Sequence, residues 1–357
     1  MIAMNDLLQY VTRVKASDMH LCPCRKPSVR IDGELSETDI APLTPDQVKD
    51  TLFSILNDDQ KRRLETDREL DISYTLHGVS RFRLNIYMQC GTYAAAIRAI
   101  PFDVPSMDEL GVPSIVRSFA DHMHGLVLIT GPQGSGKTTT LASVVDYINQ
   151  TRKSHIISIE DPIEYLHTSK KSVINQREIG KDTNSFKDAT KYILRQDLDV
   201  CLIGEIRDVD TVQTALTLAE AGILVLSTLH SPNAAESVSR IVDMFPPDYQ
   251  HPVKTQLSLA LKAVVSQQLI QNRNKKGRVL ACEIMKVTNS ISNMIRHFSV
   301  KQIYSMIQTG RAEGMQTMDQ ALVKLYTDGK ISKFELMRRV SNQEQVDMIL
   351  REIFDAA

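Results

Sequence analysis

The residues Gly131-Pro132-Gln133-Gly134-Ser135-Gly136-Lys137-Thr138 read G-x-x-x-x-G-K-[ST] and follow directly on the apolar run Leu126 to Ile129. Such a segment demands a strand entering, a tight turn, and a helix leaving. Its glycines let backbone N–H groups wrap a β-phosphate, and the next helix adds its positive N-terminal end. Lys137 then meets the β- and γ-phosphates and Thr138 is placed to ligate Mg²⁺, with Thr139 counted in the same nucleotide-binding set. An ordinary glycine-rich turn needs no lysine followed by threonine at its helix start. ATP with Mg²⁺ is the expected ligand.

From Gly125 onward, solid apolar runs alternate with helical stretches: Leu126–Ile129, Ile156–Ile159, Val200–Ile203 and Ile223–Leu226. Runs of this kind suit parallel strands covered on both faces, so this part reads as doubly wound α/β. Ligands of open α/β sheets bind at the carboxyl ends of the strands, which is where polar residues gather here. The second run leads to Glu160, Asp161 and Glu164, with Pro162 stopping the strand; three carboxylates so close are relieved by a cation. The third run ends in Gly204-Glu205, resembling a Walker B strand whose usual aspartate position is glycine. The fourth leads to His230, directed toward the γ-phosphate edge. Each has a plain alternative: a solvated acidic turn, a surface glutamate, a structural histidine.

At 357 residues the chain exceeds the ~100–200 residues of one domain, and two are expected. Before Gly125 the pattern is α+β. Ile2 to Ala16 suits an amphipathic helix, Pro27 to Leu35 a hairpin around Asp32-Gly33, and Thr44 the start of a helix ending near Leu56. A second hairpin joins Leu70–Tyr74 to Arg81–Tyr87 through a turn with His77 and Gly78. Arg81 and Arg83, two apart, project from one strand face, and Arg98 follows on the next strand. They are a solvated face unless another subunit brings them to a phosphate. Pro101, Pro105, Gly111 and Pro113 mark a linker. The expected boundaries are 1–100, a linker over 101–113, and 114–357, turning helical from about 289.

Lys and Arg total 42 against 43 Asp and Glu, and aromatics make up only 5%. That excludes a strongly cationic, aromatic-rich nucleic-acid track. Cys22, Cys24, Cys90, Cys201 and Cys282 have no framework or C-x-x-C spacing, so a reducing compartment and no zinc site are expected. No apolar stretch approaches the ~20 residues of a membrane span. The N-terminal residues lack the basic start and cleavage site of a secretory signal.

The blocks Arg81-Phe82-Arg83-Leu84-Asn85, Ala95-Ala96-Ile97-Arg98-Ala99-Ile100-Pro101, the P-loop, Ile159 to Tyr165, Gly204 to Asp208, Thr228-Leu229-His230 and Gly314 to Leu322 occur in one order along the chain. Together they resemble the secretion ATPase superfamily, specifically the PilT and PilU retraction ATPases of type IV pili. The resemblance implies a PAS-like N-terminal domain, a RecA-like C-terminal ATPase domain and a homohexamer with ATP near the subunit boundary. It implies Glu164 as general base of an aspartate box, Glu205 as the Walker B glutamate, His230 as the histidine-box residue, and Arg81, Arg83 and Arg98 as arginines facing nucleotide. A cytoplasmic motor at an inner-membrane pilus platform follows, with a paralogous retraction ATPase as a further partner. Where the family carries A-I-R-N-L-I-R-E, this chain has Ser290-Ile291-Ser292-Asn293-Met294-Ile295-Arg296-His297. PilT-like and PilU-like subtypes, and a type IV secretion system as client, all remain open at this point, as does an ATP-gated scaffold without turnover.

Overall fold

The computed structural model describes residues 3–31, 33–76, 78–100, 103–274 and 276–355, the side chains of 345, 349 and 352–355 excepted. Ile2, Asp32, His77 and Pro101 of the sequence reading lie outside the described residues. The chain forms two compact units, Met1–Asp103 with Pro162–Leu166, and Val104–Asp161 with His167–Ala357.

In the first unit α1 (Met4–Arg13) buries Met4, Leu7, Leu8 and Val11, a spacing of three and four that puts one apolar stripe on the core. Strands β1 (Asp18–Leu21), β2 (Ser28–Ile31) and β3 (Glu34–Glu37) follow, then α2 (Pro45–Phe53), α3 (Asp58–Asp67), β4 (Glu69–Leu76), β5 (Ser80–Gln89) and β6 (Thr92–Ile100). Thr44 and Asn57 start α2 and α3 with reciprocal capping boxes to Gln47 and Gln60. The six strands pair antiparallel in the order β3-β2-β1-β6-β5-β4. Phe82, Leu84, Ile86 and Ile97 turn one face inward. On the other face, directly paired residues form the row Ser73, Arg83, Arg98, Asp18, Arg30.

The second unit contains α4 (Ile115–Ala120), β7 (Gly125–Thr130), α5 (Lys137–Thr151), β8 (His155–Glu160), β9 (Val173–Glu178), α6 (Phe186–Ile193), β10 (Val200–Ile203), α7 (Val209–Glu220), β11 (Leu224–Leu229), α8 (Ala234–Asp243) and α9 (Pro247–Ala260). After these come β12 (Leu261–Gln271), β13 (Arg278–Lys286), α10 (Asn289–Arg296), α11 (Val300–Thr309), α12 (Met318–Thr327), α13 (Lys333–Arg339) and α14 (Gln343–Asp355). The sheet order is β13-β12-β7-β11-β10-β8-β9, parallel throughout except for the antiparallel β12–β13 pair. Alternate residues of each central strand enter opposite cores. Leu126, Leu128, Ile157, Ile159, Cys201, Ile203 and Val225 face one. Val127, Ile129, Ile156, Val200, Leu202, Leu224 and Leu226 face the other. Burial on both faces is why these strands read as unbroken apolar runs.

Three details differ from the sequence reading. The fourth strand begins at Leu224 and continues to Leu229, so Ser227 and Thr228 lie within it. The hairpin β12–β13 and the edge strand β9 were not anticipated. The second strand ends at Glu160 and Asp161 closes that stretch of the second unit, whereas Glu164 belongs to the segment counted with the first.

Candidate functional site

Positive backbone φ at Gly131, Gly134 and Gly136, of 142°, 74° and 86°, turns the chain from β7 into α5. A Cβ on Gly131 would lie 2.4 Å from the Gln267 carbonyl oxygen of β12 and 2.6 Å from Ser135 Oγ, so only glycine fits there. Lys137, the first helical residue, is buried and its Nζ donates to the carbonyl oxygens of Gly131 and Pro132 at 3.0 and 2.9 Å. Ser135 Oγ is buried with no hydrogen-bond partner among the described residues. Pro132, Gln133 and Gly134 are exposed, and Thr138 and Thr139 are half-buried on the first turn of α5. A backbone turn closed to a Cβ at Gly131, a buried hydroxyl still able to donate, an ammonium and a helix N-terminus are the donor set a polyphosphate requires.

Strands β8, β10 and β11 bring the next residues beside that loop. Gly204 N–H donates to the Ile159 carbonyl (2.9 Å), Ile206 N–H to the Thr228 carbonyl (2.9 Å), and Thr228 Oγ1 to the Gly204 carbonyl (2.7 Å). These bonds fix Glu205 just past β10. Its carboxylate accepts from Arg207 Nε at 2.7 Å and lies 3.2 Å from His230 Nε2. Burial pushes the His230 imidazole below its usual range, the positive charge of Lys137 adds to that, and Glu205 opposes it. A neutral imidazole at pH 7 follows, able to donate from one nitrogen to the carboxylate.

The three acids at and after the end of β8 have different protein partners. Glu160 is buried and accepts from Ser158 Oγ at 2.6 Å and Gln176 Nε2 at 3.3 Å. Asp161 is exposed, 3.8 Å from Arg207 Nη1. Glu164, in the first unit, is 3.7 Å from Arg83 Nη1. Arg207 therefore joins Glu205 to Asp161, a role that sequence reasoning missed. Its only signal was a guanidinium two residues past the strand-end glutamate. Asp208 beside it is structural, capping α7 by accepting from Thr211 N–H at 2.8 Å.

In the first unit the arginines differ sharply in exposure. Arg81 is 9% exposed and donates to Ser73 Oγ (2.7 Å), Thr75 Oγ1 (3.3 Å) and the Ile163 carbonyl (3.1 Å). It does share a sheet face with Arg83, but it is no solvated side chain. Arg83 Nε donates to both oxygens of Asp71 at 3.1 Å. Arg98 Nε donates to Asp18 at 2.9 Å with 65% of its side chain exposed.

The family model described as Type II/IV secretion system protein matches residues 1–352. The chain is 44% identical over 328 residues to the type IV pilus retraction ATPase PilT of Pseudomonas aeruginosa, covering 92% of this chain and 95% of that one. To the type IV pilus ATPase PilU of the same organism it is 35% identical over 345 residues, covering 97% and 90%. Its structure superposes on the crystal structure of the pilus retraction motor PilT with bound ADP at a TM-score of 0.89 and 41% identity, covering 98% of this chain and 100% of that one. The α/β fold agrees with the solved PilT structure over nearly the whole length, and the chain belongs to the type II/IV secretion system ATPase family.

Proposed function

We propose that this chain is a retraction motor of type IV pili, hydrolysing ATP in a homohexameric ring and working against an inner-membrane platform protein from the cytoplasmic side. The observation that carries the reading is near-full-length similarity to PilT, with 44% identity over 92% of the chain, joined to a P-loop, Glu205 and His230 on neighbouring strands of one sheet. The lower identity to PilU, 35%, favours the PilT-like subtype, and a paralogous retraction ATPase is a fitting partner. The domains proposed are a PAS-like one over 1–100, a linker over 101–113, and a RecA-like one over 114–357.

Residues 131–139 bind the phosphates, and Lys137 supplies the point charge between β and γ. Thr138 would hold Mg²⁺, with Glu160 and Asp161 in the same cofactor set, and the ion would supply neutralisation of the charge that develops on the phosphates. Glu205 polarises the attacking water, held in place by Arg207 and His230; Glu164 serves as general base; His230 senses the γ-phosphate edge. Arg81, Arg83 and Arg98 are the arginine candidates, and exposure favours Arg98 and Arg83 over Arg81 for reaching a second subunit.

Lys137→Ala is expected to abolish turnover in the purified ring. Glu205→Gln and Glu164→Gln are expected to keep nucleotide binding and lose turnover at least tenfold, because the amide keeps the shape without the basic carboxylate. Hydrolysis by Lys137→Ala within tenfold of the unsubstituted chain would sink the assignment of Lys137 to the phosphate site. Cells lacking the gene should be over-piliated and should lose twitching; unchanged piliation would remove the retraction reading while leaving the ATPase.

A further inference from the structure

We propose that Glu283 is a positioning residue, a buried latch that fixes the loop carrying His230 and ties it to α12 in the C-terminal helical part. Its bearing on turnover rests on the proposed function; the latch itself does not.

Glu283 lies on β13 and is 2% exposed. Its Oε1 accepts from the N–H of Ala234, the first residue of α8, at 2.7 Å, and the N–H of Met318, the first residue of α12, acts on the same carboxylate to lower its pKa. The first N–H groups of a helix have no partner within it and need one from outside. Asn233 and Thr317, the capping residues of these two helices, already accept from Glu236 N–H and Gln320 N–H in the third helical position. Glu283 takes the amide that the Asn233 cap leaves over.

The register shows what the latch holds. Leu229 of β11 pairs with Thr130 of β7, Thr130 with Ser266 of β12, and Ser266 with Glu283 of β13. Thr130 Oγ1 and Ser266 Oγ are 2.7 Å apart and both buried. Directly paired residues point to one sheet face, so Glu283 shares a face with the residue before the P-loop and the residue before His230. The loop 230–233 is pinned at one end by β11 and at the other by Ala234 on Glu283.

The segment before α12 is pinned along the same strand. Gln316 exchanges backbone bonds with Ile284 at 2.8 and 3.2 Å, and its Nε2 donates to the Cys282 carbonyl at 2.7 Å. A shift of α12 is therefore transmitted to a carboxylate that also holds the histidine loop. Burial, with the charges of Asp319 and Glu236, pushes the Glu283 carboxyl up, and the two backbone donors pull it down.

The test compares Glu283→Gln with the unsubstituted full chain by two readouts. In hydrogen exchange, peptides covering 229–237 and 315–321 should exchange at least tenfold faster in the variant while α5 is unchanged; unchanged exchange in both segments overturns the latch. In ATP turnover, kcat should fall at least tenfold with KM for ATP within threefold. Added to His230→Ala, the substitution should cost nothing further, because it acts through the same loop. Losses that multiply, or a loss confined to KM, mean that Glu283 is structural only and overturn the proposal. If Glu283→Gln is not recovered folded, Glu283→Asp keeps the charge, shortens the arm by one methylene and is judged by the same readouts. Absence of turnover in the unsubstituted chain counts against the proposed function, and the exchange measurement still decides the latch.

Discussion

His167 shows how one side chain sets a pH window. Burial pushes its imidazole down to about 4, with the nearby Lys170 charge adding to the shift and Asp146 opposing it. Its Nδ1 is buried without a hydrogen-bond partner among the described residues. Between about pH 6.5 and 4 the unfolded chain takes a proton that the folded chain refuses, so stability is present above 6.5 and is lost as pH falls through that window. The linkage is at most ~3 kcal/mol for such a shift. His167→Leu should therefore flatten the fall of Tm between pH 7 and 5, and a variant as acid-sensitive as the unsubstituted chain would show that this histidine is not the titrating group. Residue-level legibility followed the same divide between local and tertiary causes. The P-loop turn and the strand-end positions of Glu205 and His230 could be read because glycine turns and strand ends are set by neighbouring sequence. Arg207 could not, because it comes within 3.8 Å of Asp161 only when β8 and β10 lie side by side.

Among elements, the strands buried on both faces were legible as apolar runs, and β12 was not, because Ser266 and Gln267 interrupt its run while being fully buried. Both serve the loop next door: Ser266 meets Thr130, and Gln267 donates to Thr140 Oγ1 at 2.9 Å. The edge strand β9 stayed hidden for the opposite reason, since Asn175, Gln176, Arg177 and Glu178 make most of it polar. The closeness of β12 sets a prediction about the turn. In Gly131→Ala the new methyl would meet the Gln267 carbonyl at 2.4 Å, and that carbonyl belongs to a strand paired on both sides. At Gly134, with φ of 74°, nothing lies within 4 Å of a Cβ, so an alanine carries only left-handed strain of ~1–2 kcal/mol. Gly131→Ala should lower Tm by several degrees more than Gly134→Ala; equal losses would mean that β12 does not constrain the turn. Sequence placed three acids on one strand end, but Glu164 falls with the first unit, a separation that no local pattern encodes.

For the whole molecule, the decisive question is whether one chain contains a complete site. The second unit supplies the P-loop, Glu205, Arg207 and His230, and Arg207 is already engaged by Glu205 and Asp161. Phosphoryl transfer gains several orders of magnitude from an arginine on the developing charge, often supplied by a neighbouring molecule. In the first unit Arg81 is buried by Ser73, Thr75 and the Ile163 carbonyl, whereas Arg98 presents 65% of its side chain and pairs with Asp18 on the sheet surface. A surface ion pair of that kind contributes ~0–1 kcal/mol and is readily exchanged for a phosphate. Arg98→Ala should accordingly keep the assembly state of the unsubstituted chain, bind nucleotide and lose at least tenfold in kcat. Mixed with Lys137→Ala subunits, themselves inactive, it should regain turnover, since some interfaces then join an intact P-loop to an intact Arg98. Recovery that peaks near equal proportions, measured by phosphate release across mixing ratios, identifies a site completed in trans. Wild-type turnover by Arg98→Ala in that assembly state, with the same result for Arg83→Ala, would reduce this arginine row to a solvated sheet face and leave each chain to hydrolyse ATP alone.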